Sequence, residues 1–204
     1  VAHMGHSQMN IDSGMPTHFI PVTYDGAPEL AEVIPILDSH RRIAEERLSS
    51  TDKEEFSEEE AKEKFLDAVG RFSPLEDSRL GLVGSIQHLH LLENYKEMLE
   101  EQGYDVEIPV GGDRLTLPGQ VLGCNYSGDS SKIGHYLFLG SGDFHPIGLV
   151  LHTGKPLAML DPYTGDATEM SFDRIERILR QTFGLIMSVG DSSSFGILIG
   201  EKPG

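Results

Sequence analysis

The sequence predicts an α/β fold built from parallel-sheet modules with flanking helices, and three observations predict it. Short runs such as Tyr136-Leu-Phe-Leu139 are almost continuously apolar, the pattern of parallel strands covered on both faces. These runs alternate with amphipathic helical patterns, as β-α-β units require. Third, the run from Tyr136 opens into Gly140-Ser-Gly142-Asp-Phe-His145-Pro146, a glycine-hinged loop carrying one acid and one imidazole. Ligands of open α/β sheets bind outside the carboxyl ends of strands, so Asp143 and His145 are candidate site residues. Glycine lets the backbone turn tightly and approach a ligand, which adds Gly140 and Gly142.

The first predicted strand covers residues 18 to 23, followed by a turn at Tyr24-Asp-Gly-Ala-Pro28 and a helix starting near Glu29. Residues 41 to 69 are crowded with charge. Within them Ser57-Glu-Glu-Glu60 is a capping box ahead of Ala61, Phe65, Leu66 and Val69, so this region reads as a solvated, peripheral helical insertion. A strand over 79–86 precedes a helix over 89–102, whose apolar face is Leu89, Leu92, Tyr95, Met98 and Leu99 and whose stop is Gly103. Strands follow at 105–110 and 120–124. After the Gly- and Ser-rich residues 127–134, a second module is expected with strands at 136–139, 148–152 and 157–160, a helix over 171–187 and a strand at 195–199.

With 204 residues the chain is long enough for a well-filled core, and no apolar run approaches the roughly 20 residues of a bilayer span. No signal-peptide pattern opens it, so a cytoplasmic protein is expected. A net charge of −17, from 33 acids against 16 bases, argues against nucleic-acid binding and suits solubility or a basic partner. The single cysteine, Cys124, excludes an intrachain disulfide. Val1 at the start and Glu201-Lys-Pro-Gly204 directly after a strand-like run predict an excerpt of a longer chain.

Cys124 at a predicted strand end is placed to ligate a soft metal or an iron–sulfur cluster, although one cysteine cannot hold a cluster and a lone buried cysteine is otherwise a small hydrophobe. Gln87-His88-Leu-His90 follows another strand end, where alternating histidines could bind zinc if a third ligand existed. Asp143-Phe-His145 has the Asp-x-His form that opens two-metal phosphoesterase sites, without the further motifs of that class. Walker loops and Gly-x-Ser-x-Gly elbows are missing, which argues against P-loop nucleotide hydrolases and serine hydrolases.

Six segments in order are Gly5-His-Ser7, Leu82-Val-Gly-Ser-Ile-Gln87-His88, Leu122-Gly-Cys124, Leu139-Gly-Ser-Gly-Asp-Phe-His-Pro146, Asp161-Pro-Tyr163 and Phe195-Gly-Ile-Leu-Ile-Gly200. Together they resemble the archaeal diphthamide synthases, the 2-(3-amino-3-carboxypropyl)histidine synthases, over essentially the whole chain. The resemblance implies a homodimer of three related α/β domains in pseudo-threefold arrangement, each giving one cysteine to a 4Fe-4S cluster. It further implies a noncanonical radical S-adenosylmethionine enzyme that transfers a 3-amino-3-carboxypropyl group to a histidine of translation elongation factor 2.

On that resemblance Cys124 is the second cluster ligand, and the other two lie outside this chain. Residues 1–26 are then the end of the first domain, 27–130 the middle domain and 131–204 the first part of the third. Gln87, His88, Gly140, Gly142, Asp143 and His145 are implied contacts to S-adenosylmethionine or the cluster pocket. An excerpt with one cysteine would be inactive alone. The competing reading is a non-catalytic α/β module that binds a partner and uses Cys124 only for packing.

Overall fold

The computed structural model describes residues 2–3, 18–19, 22–49, 75–112, 115, 117–123, 125–170, 172–190, 192, 194 and 196. They fall into two units, Val1–Met170 and Ser171–Gly204. In chain order the first unit holds β1 (Ala2–His3), β2 (His18–Phe19), α1 (Ile34–Ser49), β3 (Arg79–Gly84), α2 (Leu92–Glu101), β4 (Val106–Glu107), β5 (Ile133–Leu139), α3 (Phe144–Thr153), β6 (Leu157–Leu160) and β7 (Ala167–Glu169). A 3₁₀ turn, Leu89–Leu91, leads into α2. The second unit contains α4 (Phe172–Ser188).

Five strands form one sheet in the order β4-β3-β5-β6-β7, and β1 and β2 form a separate parallel pair. The strands from β4 to β6 are parallel, whereas β7 returns antiparallel along β6. The parallel α/β expectation therefore holds, with an antiparallel edge strand added. Every residue of β5 is buried, as the apolar run Tyr136–Leu139 requires, and the strand takes His135 into the interior with it. Because β3 and β5 pair directly, the sheet is continuous across residues 127–134.

Leu80 and Leu82 of β3, Leu137 and Leu139 of β5, and Ala158 and Leu160 of β6 share a core with Val33 and Leu37 of the first helical segment and Leu92, Tyr95 and Leu99 of α2. Successive strand residues point to opposite faces, so α1 and α2 cover the same side of the sheet. Phe138 points the other way, toward the His145 ring of α3 at 6.3 Å between centroids.

Four sequence expectations change, the first being that the strand expected at 120–124 reduces, among the described residues, to isolated bridges at Gln120 and Leu122. Residues 148–152 are not a strand but the second half of α3. β5 and β6 are adjacent and parallel, so the chain between them must cross back along the sheet, and a helix does this while satisfying its own backbone. Gly154, at φ 63°, closes that helix by donating to Val150 O at 2.8 Å.

The helix expected near Glu29 begins at Ile34, after a turn closed by Val33 N–H to Leu30 O at 3.0 Å, with Pro35 tolerated in its first turn. Residues 41–49, expected in a peripheral insertion, instead form the latter part of α1 and bury Ala44 completely. The capping box at 57–60, residues 5–7 and nearly all of 195–200 lie outside the described residues.

Candidate functional site

The chain runs from β3 through α2 to β4 on one side, then crosses to β5 on the other side of β3. This reversal opens a crevice at the carboxyl ends of β3 and β5, the place where parallel sheets bind ligands. Gly84 and Leu139 are register partners there, and Ser85 N–H donates to Leu139 O at 3.1 Å. The loop starting at Ser85 and the loop starting at Gly140 thus leave the sheet side by side.

Each loop carries predicted site residues. Ser85 Oγ donates to Gln87 Oε1 at 3.0 Å, and Tyr24 N–H donates to the Gln87 carbonyl at 3.2 Å. His88 is 1% exposed. Burial, followed by repulsion from His90, lowers its pKa, opposed by a hydrogen bond to the Tyr24 backbone and by Asp161. The ring is therefore neutral near pH 7, and its Nδ1 has no hydrogen-bond partner among the described residues.

Gly140 has φ 154° and Gly142 has φ 77°, conformations that side chains oppose. A Cβ at Gly140 would lie 2.8 Å from the Phe138 ring and 3.3 Å from Ser85 Oγ, so glycine is also required for the two loops to approach. A Cβ at Gly142 would meet nothing within 4 Å, which marks an open-sided turn. Asp143 occupies the N-cap position of α3, and its carbonyl accepts Ile147 N–H at 2.9 Å. His145 lies in the first turn, half-buried beside the Phe144 ring at 5.4 Å.

Cys124 lies outside the described residues, but its flanks do not. Gly84 N–H donates to Gly119 O at 2.9 Å and Val121 N–H to Gly84 O at 3.3 Å, so the chain leading to Cys124 runs beside the end of β3. A Cβ at Gly123 would collide with the Phe144 ring, which places that chain against the start of α3. Ser85 and segments 119–123 and 140–145 therefore meet at the carboxyl ends of β3 and β5.

His90 does not join His88 in a metal site. Its Nε2 pairs with Asp25 at 3.0 Å, and among the described residues no group of three His, Cys, Asp or Glu could hold a metal ion.

Sequence reasoning missed two features. Gln120 is 3% exposed, and neither of its amide atoms has a hydrogen-bond partner among the described residues. Leaving such a group unsatisfied costs on the order of 1–3 kcal/mol, and the only sequence signal was a polar residue heading an apolar run. Tyr24 and Tyr163 also meet at this end, with ring centroids 4.2 Å apart, although they are 139 positions apart in a 204-residue chain.

The family model described as "Putative diphthamide synthesis protein" matches residues 51–204. The chain is similar to 2-(3-amino-3-carboxypropyl)histidine synthase of Pyrococcus horikoshii, 31% identical over 99% of this chain and 48% of that protein. It is also similar to 2-(3-amino-3-carboxypropyl)histidine synthase subunit 1 of Caenorhabditis elegans, 25% identical over 61% of this chain and 32% of that protein. The crystal structure of Pyrococcus horikoshii Dph2 with a 4Fe-4S cluster superposes with a TM-score of 0.61 at 30% identity, covering 92% of this chain and 45% of the other. The chain thus spans about half the length, or less, of the relatives it matches. A family model matching three quarters of the residues, a fold shared with Dph2 and the expected order of motifs together assign this chain to the diphthamide-synthesis family.

Proposed function

We propose that the protein containing this chain transfers a 3-amino-3-carboxypropyl group from S-adenosylmethionine to a histidine of translation elongation factor 2, the first step of diphthamide biosynthesis, acting as a cytoplasmic homodimer. The observation that carries this reading is the convergence, in a chain of this family, of a glycine-hinged loop and the segment leading to Cys124 on one crevice.

The donor set fits a 4Fe-4S cluster held in part by this chain. Such clusters take cysteine thiolates, and the chain has one cysteine, four residues beyond the Gln120 bridge to Gly84. Cys124 would supply one ligand and the other thiolates would come from outside these residues. When bound, a reduced cluster supplies the single electron that cleaves a sulfonium carbon–sulfur bond.

The chain's own residues bind and position. Gly140 and Gly142 keep the loop low, so that a ligand reaches backbone groups at the strand ends. Neutral His88 and the Ser85–Gln87 pair offer hydrogen bonds without bringing a fixed charge into the crevice. Asp143 and His145, at the start of α3, flank the open side of the loop and would orient the amino-acid end of the substrate or the acceptor imidazole.

Anaerobic iron–sulfur reconstitution of the full-length protein tests the reading. Wild type should bind about four irons per cluster and give a low-temperature paramagnetic signal after dithionite reduction, and Cys124→Ala should lose both. A cluster unchanged by the substitution, or absent from both proteins, leaves Cys124 a packing residue and favours the partner-binding module.

A further inference from the structure

The carboxyl end of the sheet extends beyond the crevice to the tip of β6, where residues 22–28 lie across the 161–163 turn. Four contacts hold that segment down, one of them the pairing of His90 Nε2 with Asp25 Oδ1 at 3.0 Å. Tyr24 N–H donates to Gln87 O at 3.2 Å, the His88 ring hydrogen-bonds the Tyr24 backbone, and the buried Tyr95 hydroxyl donates to Pro28 O at 2.6 Å. A Cβ at Gly26 would lie 2.8 Å from Pro162 O, so a glycine is needed for the segment to reach the turn.

The result is an exposed aromatic pair held by residues far apart in sequence. The Tyr24 and Tyr163 rings are tilted by 37° at 4.2 Å and remain 36% and 50% exposed. Behind them the buried His88 ring stands edge-on to both, at 6.1 and 5.4 Å, with its Nδ1 unpartnered among the described residues. Single exposed tyrosines are ordinary, but a pair fixed from three segments over an unsatisfied polar atom is built for contact.

The rim gives the sign of the partner. Segments 22–28, 85–91, 140–146 and 161–166 contain no lysine or arginine and carry Asp25, Asp143, Asp161 and Asp166. Aromatic faces attract cations, and a negative rim steers and orients a positive partner. A nucleic acid would be repelled by the same rim.

We propose that Tyr24 and Tyr163, rimmed by Asp25, Asp161 and Asp166, form the docking lip for a positively charged, histidine-bearing loop of the protein acceptor. This rests on the transferase reading and deepens it. Gln87 and His88 connect the lip to the crevice, so a loop seated there would present its imidazole toward the Gly140–His145 turn.

The test uses the full-length protein and two fluorescein-labelled probes: elongation factor 2, and a Lys- and Arg-rich peptide containing one histidine. Tyr24→Leu/Tyr163→Leu should weaken binding of both by about tenfold. Asp25→Lys should slow association and flatten its salt dependence. S-adenosylmethionine affinity by calorimetry and the cluster signal should not change.

Unchanged probe affinity in a double variant that melts like wild type overturns the proposal. So does a matching loss of S-adenosylmethionine affinity, which would make the pair part of the small-molecule pocket, and so does wild-type protein that binds neither probe. Loss of peptide binding in the double variant, in a protein that ignores elongation factor 2, upholds the lip and overturns the transferase reading instead.

Discussion

At the residue scale, Gly140 and Gly142 look alike in sequence but answer to different constraints. Gly142→Ala adds a methyl group in open space at φ 77°, so it costs only backbone strain, about 1 kcal/mol. Gly140→Ala carries strain at φ 154° and also drives a methyl into the Phe138 ring, so it should cost about 2–3 kcal/mol. Urea titration of the two variants checks the order, and equal losses would mean that the Phe138 contact is not a constraint. The sequence showed that both glycines hinge a loop. It could not show that one of them lies against a ring from the strand before it and a serine from the loop after β3.

At the element scale, the amino-terminal side of the β5–β6 pair is held by a buried ionic network. Lys155 is 0% exposed and donates to Asp129 Oδ1 at 2.5 Å and Ser130 O at 2.7 Å, while Asp129 also accepts from the Tyr136 hydroxyl. Burial lowers the Lys155 pKa, and the Asp129 hydrogen bond and charge oppose that shift. Removing one partner of a buried pair strands the other, so Asp129→Ala should cost about 3–5 kcal/mol. Lys155→Met should cost less, because Asp129 keeps its Tyr136 donor and is the less buried of the two. Denaturant midpoints at pH 7 measure both, and a reversed order would place the main role with the lysine.

Asp129 and Ser130 of this network lie within residues 127–134, whose Gly- and Ser-rich composition is also that of a junction between modules. Composition cannot distinguish a linker from a turn that caps two strands. α3 was hidden for a similar reason. The short run Gly148-Leu-Val-Leu-His152 is compatible with strand or helix, and only the parallel pairing of β5 with β6 decides between them.

At the scale of the whole molecule, His40 of α1 and His135 of β5 are both buried where α1 packs on the sheet. His135 of β5 is 1% exposed, and among the described residues neither ring nitrogen has a hydrogen-bond partner. Burial first, then His40 and Arg41 of α1, push its pKa down from 6.5 to about 3. His40 in turn bonds Glu169 of β7 at 2.9 Å. Above about pH 6.5 the His135 ring is neutral in both folded and unfolded chains, so its contribution is fully present. Between 6.5 and about 3 only the unfolded chain takes up the proton, and stability falls with pH by up to about 1.4 kcal/mol per unit. Urea titrations at pH 7 and 5 should show that loss in wild type and a smaller one in His135→Leu. Parallel pH dependences would assign the acid sensitivity to other groups.

The sequence by itself determined the fold class, most of the strand and helix positions, the glycine-hinged loop and the family. Those depend on local periodicity, on backbone freedom at particular residues and on the order of short motifs. Only the tertiary structure decided that 148–152 is helical, that α1 belongs to the core, and that Gln120 and the Tyr24–Tyr163 pair stand at the same end of the sheet as the candidate site. Strand order places those residues together, and strand order follows from pairing between segments far apart in the chain, which no local pattern encodes.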